Sequence, residues 1–173
     1  MEWVCSEACI YYFKLIPLHI VGILTILLQS PRKLIEPHLD TITAIVSTLC
    51  NITARNDGHL PSSLPTHIGQ RRYVQICHGT PGLLILLSTM RLRFAHLWNQ
   101  EWEKAETLAS EAIWKEGLIT KGLGVCHGVS GNAWPWLLQA KVRQGYGFYD
   151  EIYALIIHDP SAGKKRTKRF PGL

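Results

Sequence analysis

Two short stretches of this 173-residue chain hold residue types that can do chemistry together. The first is Cys77-His78-Gly79-Thr80-Pro81-Gly82 and the second is Cys126-His127-Gly128-Val129-Ser130-Gly131-Asn132. Both read Cys-His-Gly-x-x-Gly, and an apolar run follows each. A shorter copy without the cysteine stands at His19-Ile20-Val21-Gly22. For one copy alone, a sharp glycine turn with a small cysteine packed beside it is explanation enough. Two copies converging on one centre would bring Cys77, Cys126 and one histidine together. Two thiolates and an imidazole suit a borderline-soft ion such as zinc, and three protein ligands leave the open fourth position of a catalytic site. A thiol entering that position would be deprotonated by the metal. It could then attack an electrophilic alkene or carbonyl carbon, with a nearby histidine handing a proton to the developing enolate. Neither Cys-x-x-Cys nor His-x₃-His spacing is present, so this is no zinc finger.

The elements that must position these residues read as helices. Over 34–52, Ile35, Leu39, Ile42, Ile45, Val46, Leu49 and Ile52 recur in steps of three and four, with Pro37 in the first turn. A loop containing Asn56, Asp57, Gly58, Pro61 and Pro65 runs to about Arg72. A leucine-dense helix is predicted over 81–98. Asn99 caps a third over 101–116, with Trp102, Ala105, Leu108, Ala109, Ala112 and Ile113 inward, Glu106 among the outward residues, and Gly117 as its stop. A fourth starts near Asn132, which puts Pro135 in its first turn. A weaker one is predicted over 148–158. His38, His59 and His96 read as surface or loop histidines, Cys5, Cys9 and Cys50 as core or terminal thiols, and Trp102, Trp114, Trp134 and Trp136 as core packing.

Composition bounds the function. Apolar residues make up 47% and charged ones 18%, which excludes a wholly disordered chain. Five cysteines, an odd and sparse set, exclude a disulfide scaffold and point to a reducing, cytoplasmic setting. Met1 is followed by Glu2 with no basic stretch before the apolar run, so no signal peptide is expected. The net charge of +5 comes from Lys164, Lys165, Arg166, Lys168 and Arg169, while the rest of the chain is balanced. A nucleic-acid partner is not expected of such a body. Residues 10–28 are apolar, but Lys14, Pro17 and His19 interrupt them. A core helix is the reading, with peripheral membrane association left open.

At these motifs the sequence resembles the lanthionine synthetase C-like (LanC-like) family, including its eukaryotic glutathione-binding members. The resemblance covers about 18–141, through Leu60-Pro61-Ser62-Ser63, His67-Ile68-Gly69, the first motif, and Gly117-Leu118-Ile119-Thr120-Lys121-Gly122-Leu123-Gly124 leading into the second. Gly22-Ile23-Leu24-Thr25 looks like the start of a family inner helix. The resemblance implies an all-α fold, here a partial α/α toroid, an incomplete double ring of helical hairpins. It implies zinc held by Cys77, Cys126 and His127. The implied reaction is addition of a thiol, from a cysteine-containing peptide or glutathione, to a dehydroamino acid. By position, Lys121 would hold a glutathione carboxylate, His19 would transfer a proton, and His78 is a further polar neighbour. Only the family's C-terminal half is matched, and the acidic residue expected at the site is missing. The expectation is a truncated relative with a divergent segment at 1–17, a partial toroid at 18–158 and a basic tail at 159–173. The alternative is a non-catalytic zinc- or glutathione-binding remnant or interaction protein. Apolar faces left open by absent hairpins favour self-association.

Overall fold

The computed structural model describes residues 16–61, 73–77, 79–118 and 122–143, the side chains of 16–19, 141 and 143 excepted. The helix predicted over 148–158, the basic tail, Cys5 and Cys9 lie outside the described residues. The helices are α1 (Ile16–Leu27), α2 (Arg32–Ile35), α3 (Leu39–Arg55), α4 (Thr80–Arg93), α5 (Gln100–Glu116) and α6 (Val129–Arg143). Short 3₁₀ turns occupy Glu36–His38 and Ala95–Leu97. Among the described residues the only β pairing is an isolated bridge between Val74 and Gly79, so the fold is all-α as predicted. The apolar N-terminal stretch yields a helix of 12 residues, and no helix among the described residues is long and apolar enough to cross a membrane.

Helix α4 organises the rest. Leu83, Leu84, Leu86, Leu87, Ser88, Thr89 and Met90 are all buried, so the helix is covered on every side. It packs against α1, α5 and α6, while α3 packs against α5. The chain therefore alternates between two layers, with α1, α4 and α6 in one row and α3 and α5 in the other. One cluster joins Val21 and Leu24 of α1 and Leu28 just after it to Val46 and Leu49 of α3, Leu83, Leu87 and Met90 of α4, and Trp102 of α5. On the other side of α4, Leu84 packs with Ala109, Ile113, Trp136 and Ala140. Each such leucine contributes about 1.5–3 kcal/mol by leaving water.

The local signals for α5 act as read. Asn99 Oδ1 accepts a hydrogen bond from the Trp102 backbone N–H at 3.0 Å, and Gly117 closes the helix, though in a right-handed conformation (φ −75°). Glu106 is a correction. Predicted to face outward, it is 1% exposed. The reason is Arg91 on α4, whose Nη2 donates to Glu106 Oε2 at 2.7 Å and to Glu103 Oε2 at 2.6 Å. The guanidinium lies 3.6 Å from the Trp98 ring centre, and Trp98 Nε1 donates to Glu103 Oε2 at 2.8 Å. A buried carboxylate becomes tolerable once a positive charge and a stacking surface come with it.

Other expectations also shift. His38 and His96 are exposed, as read, but His59 is a buried loop residue whose Nε2 lies 3.0 Å from Glu116 Oε2. Trp102 and Trp136 are core residues, and Trp114 packs its ring 5.4 Å from that of Trp136. Trp134 is 51% exposed, because the buried face of α6 runs through Asn132, Ala133, Trp136, Gln139 and Ala140 and Trp134 falls on the opposite side. Helix α6 also starts earlier than predicted, at Val129. Pro135 is therefore inside it, where the missing N–H removes the bond to the Gly131 carbonyl.

Arg91→Ala strands the Glu106 carboxylate and lowers unfolding stability by about 3–5 kcal/mol in urea titrations. Lys115→Ala, which breaks only the exposed Glu111 pair, costs less than about 1 kcal/mol. Burial, reinforced by Glu101 and Glu106, pushes the Cys50 thiol from 9.0 up to about 12. The folded chain keeps that proton where the unfolded chain has lost it, so this contribution is full below pH 9 and declines between pH 9 and 12. Cys50→Ala abolishes it, and its unfolding free energy falls less steeply with pH over that window, by up to about 1.4 kcal/mol per pH unit.

Candidate metal centre

Each motif loop is held against its helix by the same close backbone approach. In the first copy, a Cβ on Gly79 would strike the Tyr73 carbonyl, and one on Gly82 would press on the Ile76 carbonyl. In the second, a Cβ on Gly128 would strike the Gly122 carbonyl, and one on Gly131 would strike the Val125 carbonyl. The offsets match: the third motif residue meets the carbonyl six positions earlier, and the last glycine meets the carbonyl just before the cysteine. The Cys-His-Gly-x-x-Gly pattern is therefore one structural device used twice. Gly79, at φ 130°, also takes a backbone conformation that a side chain would oppose.

Buried polar side chains pin both helix starts to the other layer. Thr80 Oγ1 donates to the Gly58 carbonyl beyond α3 at 2.8 Å. Asn132 Nδ2 donates to the Gly117 carbonyl beyond α5 at 2.8 Å. Neither bond is expected from the motifs, where Asn132 reads only as a helix start and Thr80 has no role. Residue type gives no signal for these bonds, since a short polar side chain such as Thr89 bonds the carbonyl four residues back in its own helix.

Because α4 and α6 are neighbours, the two loops meet. The Ile76 side chain reaches within 3.4 Å of where a Gly131 Cβ would stand. Cys77 Sγ donates to the Cys126 carbonyl at 3.4 Å and lies 3.9 Å from Oε1 of the buried Gln75, a neighbour the sequence reading missed. Cys126 Sγ and His127 Nε2 are 3.8 Å apart. One ligand atom from each of Cys77, Cys126 and His127 lies within 4.8 Å of the others. Tetrahedral zinc, with bonds of about 2.3 Å to sulfur and 2.0–2.1 Å to nitrogen, needs such donors roughly 3.5–3.8 Å apart. Three donors of the right softness thus stand about an ångström from the geometry the ion requires, and the residues fit it. Cys77 is half-buried, while Cys126 and His127 are exposed.

Of the remaining candidates, His19 falls on α1, but its side chain lies outside the described ones. His78 and Lys121 lie outside the described residues altogether.

Comparison with known proteins agrees with the motifs. Residues 20–158 match the model of the lanthionine synthetase C-like protein family. Over 71 residues the chain is 35% identical to a Danio rerio protein named glutathione S-transferase LANCL1, covering 41% of this chain and 17% of that protein. Over 118 residues it is 30% identical to LanC-like protein GCL1 of Arabidopsis thaliana, covering 68% of this chain and 26% of that one. The chain thus spans about a quarter or less of the length of these relatives. With one family model matched across most of its length, the chain belongs to the lanthionine synthetase C-like family.

Proposed function

We propose that Cys77, Cys126 and His127 hold a zinc ion and that the site handles a thiol, either glutathione or a cysteine-containing peptide, for addition to a dehydroamino acid. The observation that supports this reading most is the convergence of two distant thiols and an imidazole within 4.8 Å. Family membership and the glutathione-related name of the Danio rerio relative support the thiol class.

When bound, the ion supplies an open coordination position that favours the thiolate of an incoming thiol. The chain's own residues do the rest. Cys77 and Cys126 bring two negative charges that offset the ion's charge, and His127 completes the set as a neutral donor. As a thiol, Cys77 Sγ donates to the Cys126 carbonyl, which turns that sulfur toward the second loop; as a thiolate ligand it would give up that bond for the ion. Lys121 is assigned to a substrate carboxylate, and His19 or His78 to delivering the proton that completes addition. A second reading, zinc and thiol binding without turnover, draws support from the exposure of Cys126 and His127. An open site leaves water competing for the position on which reaction depends.

Purified chain should bind one zinc ion per molecule by elemental analysis. Cys126→Ala and Cys77→Ala should lose it, and Cys50→Ala should retain it; equal zinc in all three rejects the site. Incubation with glutathione and a dehydroalanine peptide separates the readings, since a thioether product by mass spectrometry means catalysis and saturable glutathione binding alone means the second. Gly128→Ala and Gly131→Ala should weaken zinc binding in a competition titration and cost roughly 1–3 kcal/mol in stability. Gly124→Ala, whose added Cβ meets nothing within 4 Å, should stay within about 0.5 kcal/mol of the parent.

A further inference from the structure

We propose that Cys77 and Cys126 form a reversible dithiol–disulfide pair, so that peroxide joins the two sulfurs and discharges the ion they share. The sulfur pair stands on geometry alone, while the release of an ion rests on the zinc reading above. Both residues are thiols, and their sulfurs lie within 4.8 Å of each other across two touching loops. A disulfide needs them about 2.05 Å apart, an approach that side-chain rotation and a small loop shift can supply. The loop backbone is pinned at Gly122 and Gly124 by bonds from Val129 and Gly128, so most of the approach falls to the exposed Cys126 side chain. Cys126 lies on a turn rather than within a helix.

Exposure assigns the order of events. Cys126 is open to solvent and Cys77 is half-buried beside it, the arrangement of an attacking thiol and a resolving one. The Cys126 sulfur attacks one peroxide oxygen, the O–O bond breaks, and the departing oxygen leaves with the thiol proton as water. Cys126 is then a sulfenic acid. The Cys77 sulfur attacks it, the S–O bond breaks, and the oxygen leaves with the Cys77 proton as a second water. Two thiols have lost two electrons, and one peroxide has become two waters; in the zinc-loaded form, where both sulfurs are thiolates, the two protons come from solvent. A divalent ion at the site keeps its charge and loses two of its three protein ligands. Cys50 is an internal contrast, being 1% exposed with its thiol held protonated by burial.

The test uses the whole chain, in a chelator-stripped and a zinc-loaded form. Each is treated with hydrogen peroxide, capped with N-ethylmaleimide, digested without reduction and mapped by mass spectrometry. The expected product is a Cys77–Cys126 linked peptide, reversed by dithiothreitol, with one zinc ion released per bond in a metal-indicator assay. In Cys77→Ala, dimedone should trap a sulfenic acid on Cys126 that the parent chain does not accumulate. Linkage of Cys126 to Cys5, Cys9 or Cys50, oxidation of Cys126 only to sulfinic acid, or no trapping in Cys77→Ala overturns the pair. A chain that never takes up zinc but forms the bond upholds the pair and removes the metal. A chain that loads zinc through these ligands and forms no bond does the reverse.

Discussion

Two backbone carbonyls, those of Ile76 and Val125, lie against the faces of the glycines that open α4 and α6, where a side chain would have to stand. That approach holds each loop flat on the first turn of its helix. It also places the next residue, a cysteine in both copies, beside the helix start instead of out on an unsupported turn. Since α4 and α6 pack together, the two flattened loops abut, and Cys77 Sγ reaches the carbonyl of Cys126 itself. The centre is thus a consequence of two steric constraints of the same kind, tighter at Gly131 than at Gly82, placed side by side. Side chains 49 residues apart are brought within ångströms because little but backbone contact lies between them.

The packing of α4 makes that adjacency possible. Being apolar on all sides, it is stable only when covered on all sides, and α1, α5 and α6 provide the cover. Its polar end would be a liability in such a position. Arg91 removes the liability by pairing with Glu103 and Glu106 and lying over Trp98. At its other end Thr80 bonds to the layer behind, as Asn132 does for α6. His59 and Glu116 add a further tie between the ends of α3 and α5. Arg91, Thr80, Asn132 and His59 each bond to a different element, which makes relative position, and not merely burial, part of their energy.

The same two sulfurs carry both the metal reading and the redox one, and the two states exclude each other. The two sulfurs either hold a divalent ion as thiolates or hold each other as a disulfide, which has no thiolate to give. An exposed centre of this kind links occupancy to the oxidation state of its surroundings. The buried thiol of Cys50, in the same molecule, stays outside that chemistry because it is denied both water and charge.

What was legible in the sequence was local. The Asn99 cap, the apolar spacing over α3 and α5, and the doubled Cys-His-Gly-x-x-Gly pattern depend on residues a few positions apart, so one dimension carries them. Glu106 could not be read, since its burial depends on an arginine fifteen residues earlier on another helix. Trp134 and His59 escaped for a similar reason, because which face of a helix or loop is inward is settled by the neighbours it meets. The start of α6 at Val129 was misplaced because it is fixed by the loop folding back on Gly122, through the Val129 N–H to Gly122 carbonyl bond, and not by a capping residue. The sequence alone determined the inventory of the centre, its two thiols, its imidazoles and the glycines around them, because residue chemistry and spacing are written there. Tertiary structure alone decided that Cys77 meets Cys126 and His127, because that depends on which helices lie side by side, and helix packing is a property of surfaces that form only when the chain has folded.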